Sequence, residues 1–534
     1  MQSIQPVLQR RSFLYATEFF AGMAVMAVEL GAARLLAPYF SSSQIVWTII
    51  IGTIMIAMAS GNYLGGKWAD SHPDPAYLYR NILIAAVWIA AIPVIGKYII
   101  AAITGVLIIT ISTNLLIVAA FLACMLLFVF PLFLLGTVTP SLAKYTVRSL
   151  NDSGTIVGTL GACNTVGSIM GTFLPTFVTI PALGTAISFL LFSGILVVIV
   201  LIYCIAERHY PRWLWISVLA FMVFSIVGHS QSFAFTKDHI RYEGESIYNY
   251  LQVADTPKST ILSTNVMFGV QSMKPKDDAL TGMYYDYALL GPVLNDVPQK
   301  EQPSMLILGM GAGTYASQCR RYFPNLSIEG VEIDQKITDL SYTYFDAPKD
   351  VPVTTYDGRA YLYGTDKQYD IIMVDAYQDI TIPFQMSSQE FFTLVKNHLK
   401  PDGVMVVNMN MQTNEPDNIN DYLQDTIASV FPYVYTIDVQ HTSNRELFAT
   451  ADAAAVRRLP NVIQSVSNHD LQAFLQQTAP TLHAYTGTGR ILTDDQAPVE
   501  LLGMKTIDAL IQHEIGPYKK RFEEEGFSGL LEDF

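Results

Sequence analysis

The chain has 534 residues, too many for one ordinary domain, and 51% of them are hydrophobic. Its net charge of −14 is split unevenly: residues 1–230 hold ten Lys/Arg and six Asp/Glu, or +4, which leaves −18 for the remainder. That division excludes a single soluble globule, and no nucleic-acid partner is expected of so acidic a soluble half.

Apolar runs at 13–36, 44–66, 114–136, 155–180, 184–206 and 213–230 each approach the roughly 20 residues needed to cross a bilayer. Residues 80–113 are also apolar but are interrupted by Gly96-Lys97, so they read as one span plus an interfacial helix or as two short spans. The total is seven or eight. Seven spans with Arg10 and Arg11 inside would keep the basic loops inside and send the acidic half outside. Eight return it to the cytoplasm. The chemistry argued below needs an intracellular metabolite, so eight is the expectation, in the inner (plasma) membrane and in contact with lipid.

Glu18 and Glu29 stand three helical turns apart in the first run, and an ionisable group in a span is a functional candidate. Glu29 pairing with Arg34 or with another helix's polar group, which would fix packing, is the competing structural reading. "GTLGACNTVGSIMGTFLP" (158–175) has small residues suited to close helix packing, with Asn164 among them. The four cysteines show no metal or disulfide spacing, and no metal is expected.

From residue 239 the pattern changes. "ESIYNYLQVAD", "STILSTN" and "MFGVQSM" read as a small antiparallel sheet, and 282–295 as a helix. Strand-like segments at 304–310, 326–333, 351–357, 369–376 and 403–409 then alternate with helix-like 313–323, 334–345 and 387–399. The expected plan is an N-terminal multi-span α-helical membrane domain (1–230), a small β-subdomain with its linking helix (239–300), and an α/β Rossmann-like, methyltransferase-type domain (301–534).

Ligands of such sheets bind at the carboxyl ends of the strands, and the motif residues fall there. Gly309, Gly311 and Gly313 form a G-x-G-x-G turn after the first strand. Glu332 lies 21 residues beyond Gly311, placed to bind ribose hydroxyls, and Asp357-Gly358 ends the third strand, where a carboxylate can accept from an adenine amino group. Asp375 ends the fourth. The turn carries no Walker lysine, and Thr314 stands where a dinucleotide loop has glycine. An S-adenosyl nucleoside, which has no pyrophosphate, fits better.

"ILGMGAGTYASQ", "VEID", "YDGRAYL" and "YDIIMVDAYQD" together resemble the polyamine aminopropyltransferases, the spermidine synthase family, over about 240–410. "FGVQS" and "YYDY" are similar to that family's glutamine and tyrosine segments, and "ELGAARLLAPYF", "LGGKWAD" and "LTDDQAPVE" to its membrane-fused members. The resemblance implies an S-adenosyl sulfonium donor, either decarboxylated S-adenosylmethionine or S-adenosylmethionine, and a small cationic amine acceptor; homodimerisation is left open. It further implies that Gln271 contacts the nucleoside and that Glu332 and Asp357 bind ribose and adenine. Asp375 would deprotonate the amine, with Tyr285 shaping its pocket and Asp286, Tyr377 and Asp379 lining the substrate side.

Two positions depart from that pattern. Ala312 replaces an aspartate that binds the donor's propylamine, and Gln378 replaces a second loop aspartate, with Asp379 one place later. Asp379, Asp494 and Asp495 are the candidate substitutes. Three readings stay open: aminopropyl transfer, methyl transfer or lyase cleavage of intact S-adenosylmethionine, and a membrane transporter or sensor with a regulatory nucleoside site.

Overall fold

The structure, a computed structural model, describes residues 10–525 other than 73, 112, 148–151, 231, 236–238, 267–269, 278–279, 378–381, 411 and 414–415, and only the backbone of 513–515 and 517–525. The chain divides into two units, Met1–Lys237 with Gly244–Tyr250 and Asp238–Glu243 with Leu251–Phe534.

The first unit is helical. Among the described residues six helices are long and apolar enough to cross a membrane: α1 (Arg11–Phe40), α2 (Gln44–Ser71), α3 (Pro75–Thr110), α4 (Leu115–Thr146), α5 (Ser153–Leu183) and α6 (Thr185–Glu207). A shorter apolar helix, α7 (Arg212–Gly228), follows. The run over 80–113 does not divide, since α3 is unbroken through Gly96-Lys97. The reason is non-local: the Lys97 ammonium is buried and donates to the carbonyls of Ser232 and Ala234 at 3.1 and 3.0 Å, so its charge no longer forces a break.

Helices α1 and α5 meet through small residues, as their spacing suggested. A Cβ on Gly167 would stand 1.9 Å from the Phe19 carbonyl oxygen, and one on Gly171 2.1 Å from that of Met23, so only glycine permits this approach. Gly158 and Gly161 face open space. Glu18 is fully buried in the same region and accepts from Thr139 Oγ1 at 2.5 Å and Asn164 Nδ2 at 2.9 Å. Arg34 donates to the carbonyl of Ile247.

The helical unit has two distinct ends. At one, Arg11 pairs with Asp152 and Lys144 with Asp70. At the other, Tyr39 donates to the Phe233 carbonyl at 2.6 Å, and Thr185 donates twice to the Glu245 carboxylate. These bonds tie 244–250 to the helices, although the sequence placed that stretch in the β-subdomain.

The second unit contains two sheets. Strands β1 (Ile240–Glu245), β2 (Tyr250–Asp255), β3 (Ser259–Ser263) and β4 (Ser272–Pro275) form the small sheet in that order, antiparallel from β2 to β4. Two short helices follow, α8 (Tyr284–Ala288) and α9 (Leu290–Leu294). The large sheet then alternates with helices: β5 (Ser304–Leu308), α10 (Thr314–Tyr322), β6 (Ser327–Glu332), α11 (Gln335–Tyr344), β7 (Val353–Thr355), α12 (Gly358–Tyr363), β8 (Tyr369–Val374), α13 (Gln389–Asn397) and β9 (Leu399–Met409). Antiparallel β10 (Tyr433–Asp438), β11 (Arg445–Thr450) and β12 (His483–Tyr485) complete it.

The strand order is β12-β10-β11-β9-β8-β5-β6-β7, with β7, β6, β5, β8 and β9 parallel. This is the expected methyltransferase-type fold, preceded by its small antiparallel sheet. The order reverses at β5, between β6 and β8, which creates the crevice where such sheets bind ligands. Every residue of β8 is buried, as a strand covered on both faces requires.

Candidate active site

The loop after β5 lies at that reversal. Gly309, Gly311 and Gly313 have φ of 88°, 53° and 77°, backbone that side-chain-bearing residues rarely adopt. Gly309 also packs on the β8 end: a Cβ there would stand 2.4 Å from the carbonyl oxygen of Asp375. The loop is anchored from the next strand, since Gly311 N donates to Glu332 Oε2 at 2.9 Å. Asp334 N donates to Oε1 at 3.1 Å. Burial pushes the Glu332 carboxyl up, and these two amides draw it back.

Ala312 points away from any polar partner. Its side chain is 1% exposed and joins an apolar cluster with Leu251, Val253, Leu262, Ile337, Leu340 and Phe345, while its amide donates to Ser272 Oγ at 3.2 Å. Thr314 Oγ1 donates to the Met273 carbonyl at 3.0 Å, so β4 of the small sheet is laced to the loop and to the start of α10.

Asp375, half-buried just beyond β8, is held by both oxygens. Tyr284 Oη donates to Oδ2 at 2.6 Å and Asn408 Nδ2 to Oδ1 at 3.0 Å. Asn444 Nδ2 donates to Asn408 Oδ1 at 2.8 Å, which fixes the amide orientation. Burial raises the Asp375 carboxyl to about 7, against the lowering effect of the two donors and with a further rise from the Glu332 charge. A carboxylate titrating there is matched to accepting a proton at neutral pH.

Tyr285 is buried beside Tyr284, ring centroids 4.0 Å apart, and its hydroxyl donates to the Gln271 carbonyl at 3.4 Å. Gln271 is thereby fixed by its backbone, with its amide donating to Leu262. Asp357 caps α12 by accepting from Ala360 N at 2.8 Å, beside Gly358, at the end of β7.

Other sequence-derived candidates are placed as follows. Asp286 is 1% exposed and accepts from Thr281 N and Oγ1, Gly282 N and Gln318 Nε2, so its carboxylate orders the turn before α8. Tyr377 is buried with its hydroxyl on the Met386 carbonyl at 3.0 Å. Asp494 is engaged by Arg359 through two bonds of 2.7 and 2.6 Å and by Ser388, and Asp495 is exposed. Asp379 and Gln378 lie outside the described residues, as do Phe268 and Gly269 of "FGVQS". Among the described residues no group of three His, Cys, Asp or Glu could hold a metal.

Tyr284 and Asn408 were missed by the sequence reading. Tyr284 sits one place before the tyrosine chosen, and Asn408 interrupts the apolar run "GVMVVNM" where a buried strand would otherwise have none.

The spermine/spermidine synthase domain family matches residues 288–443. A probable polyamine aminopropyl transferase of Bifidobacterium longum is 51% identical over 333 residues, covering 59% of this chain and 74% of the relative. A polyamine aminopropyltransferase of Vibrio vulnificus is 26% identical over 294 residues, covering 51% of this chain and 93% of the relative. Among solved structures, a probable spermidine synthase from Corynebacterium glutamicum matches at 19% identity with a TM-score of 0.35, over 47% of this chain and 96% of that one.

Proposed function

Since the chain belongs to the spermidine synthase-like family of polyamine aminopropyltransferases, we propose that it transfers an aminopropyl group from decarboxylated S-adenosylmethionine to a small polyamine. The observation that carries this reading is Asp375, held between Tyr284 and Asn408 beside the glycine loop. Sheet order supports it. Asp357, Glu332, the loop and Asp375 succeed one another at the ends of β7, β6, β5 and β8, an order that suits adenine, ribose, sulfonium and attacking nitrogen.

The step follows from those groups. The amine arrives as an ammonium and gives a proton to Asp375. Its freed lone pair attacks the methylene next to sulfur, the carbon–sulfur bond breaks, and the bonding pair returns to sulfur to leave neutral methylthioadenosine. The nitrogen becomes a secondary ammonium. Glu332 holds both the ribose and, through Gly311 N, the loop geometry. The acidic charge of residues 231–534 draws cationic acceptors towards the protein.

Ala312 favours one second reading, in which intact S-adenosylmethionine is the donor, because an apolar side chain in an apolar cluster offers nothing to a propylamine. Helices α1–α7 anchor the protein in the membrane in this proposal, and the catalytic unit faces the cytoplasm, where S-adenosyl metabolites are made. The test is product identification by mass spectrometry, with either donor, with and without 1,4-diaminobutane. Methylthioadenosine with spermidine supports transfer; S-adenosylhomocysteine, or methylthioadenosine from the intact donor alone, overturns it.

A further inference from the structure

Strand β11 carries a carboxyl with no role in the chemistry above. Glu446 is 0% exposed, and neither of its carboxyl oxygens has a hydrogen-bond partner among the described residues. It stands directly opposite Asn408 of β9 and Ile437 of β10. Opposed residues of antiparallel strands share a face, so Glu446 lies on the same face as the amide that holds Asp375. That face is lined mainly by apolar side chains, with Val406, Ile437, Val439 and Phe448 in the main core, and it also carries Asn444 and Thr450. Asp375, Asn408 and Glu446 form a polar strip across it. Exposure falls along the strip, from half-buried Asp375 to 4% at Asn408 and 0% at Glu446.

A buried carboxyl without a partner destabilises a fold, and it stays neutral until a cation reaches it. Burial first, and the charge of Asp375 second, hold Glu446 well above the ordinary carboxylate range. Chains keep such groups where they serve a ligand. Resting on the aminopropyl-transfer reading, the ligand follows from strand order. The donor occupies the β7, β6 and β5 side, attack occurs at β8, and the acceptor's carbon chain extends the other way, over β9 towards β11. Two strand spacings, about 10 Å, separate β8 from β11, which two carboxyl side chains and a short diamine together bridge.

We infer that Glu446 is a specificity-determining residue of this site: it meets the second ammonium of a diamine whose first ammonium lies at Asp375. A monoamine of the same length leaves Glu446 neutral and unpaired. A diamine gives it a cation, and Glu446 releases its proton as the charge-assisted bond forms.

The test uses the full chain in detergent or nanodiscs, decarboxylated S-adenosylmethionine, and two acceptors, 1,4-diaminobutane and butylamine. Glu446→Gln is expected to lower kcat/KM for the diamine about 10- to 100-fold, mainly through KM, and to leave butylamine within twofold. Calorimetry in buffers of different ionisation heat should show one fewer proton released when the diamine binds the variant. Equal losses for both amines, or an unchanged diamine preference, overturn the assignment. Removing an unpartnered carboxyl should not lower Tm, so a Glu446→Gln and a Glu446→Met variant that both fail to fold would mark the residue as structural and also overturn it. If the wild-type chain transfers nothing to either amine, the transfer reading fails instead, and the proton count on diamine binding still decides the role of Glu446.

Discussion

The phenol of Tyr284 donates to Asp375 Oδ2 at 2.6 Å, joining the segment ahead of the large sheet to the end of its central strand β8. Because the bond favours the charged carboxylate, it opposes the burial that lifts Asp375 to about 7. The base form is required, so kcat/KM should fall tenfold per pH unit below about 7. In Tyr284→Phe one lowering contact is gone, so the acidic limb should move to higher pH. A limb that stays in place, measured over pH 5.5–9 (an assay range of about three units), would deny the bond its electrostatic role. The same raised value means that the folded state binds this proton more tightly than the unfolded one. Stability should therefore decline as pH rises from the ordinary carboxylate range towards 7 and level off above it.

Asn408 supplies the second donor, and Asn444 orients it. Asn408→Asp keeps the shape but sets a negative charge against Asp375, which should raise the limb by about one unit or more. Asn444→Ala frees the amide without adding charge. It should lower kcat several-fold and leave KM for the donor unchanged.

Ala312 is packed among Leu251, Val253, Leu262, Ile337, Leu340 and Phe345. Ala312→Asp buries a carboxyl there and should cost about 3 kcal/mol of stability, read by denaturant unfolding of the second unit's tyrosine signal. If decarboxylated S-adenosylmethionine restores that stability in the variant far beyond its effect on wild type, residue 312 faces the donor and the packing assignment is wrong.

Arg359 draws the Asp494 carboxyl below its usual range and fastens the loop after β12 to α12. Asp494 is partly exposed, so Asp494→Ala should cost only about 1 kcal/mol. Donor preference should be unchanged, because this carboxylate is already engaged; a switch between donors would return it to the binding site.

Sidedness can be measured directly. The basic loops gather at the end of the helical unit that holds Arg11, and Phe233 and Glu245 are bonded at the other. Charge alone would put the Arg11 end of the helical unit inside, and the proposed function separately calls for a cytoplasmic catalytic unit. The cytoplasmic assignment predicts that a fluorescent protein fused at the C-terminus matures in cells. Activity of a C-terminal alkaline phosphatase fusion instead would place the unit outside.

The parallel strands and the acids at their ends were legible because buried strands and glycine turns leave local marks. Glu332, Asp357 and Asp375 stand where the short strand-like runs stop. Tyr284 was not, since three tyrosines in "YYDY" give no sign of which one a five-residue helix turns towards β8. Asp286, a substrate-side residue in the resemblance, accepts from four donors within 281–318 that no local window would pair with it. "RELFAT" gives no local mark that Glu446 is enclosed, and its burial follows from pairing with both β9 and β10. The continuity of α3 depends on carbonyls more than 130 residues away from Lys97, beyond the reach of any window.

The central claim is that Asp375 takes the proton from the attacking amine. It is tested most directly by single-turnover transfer to 1,4-diaminobutane in Asp375→Asn, with donor binding checked separately by calorimetry. The expected result is retained donor affinity with the transfer rate reduced by about a thousandfold or more. Transfer at the wild-type rate would contradict it.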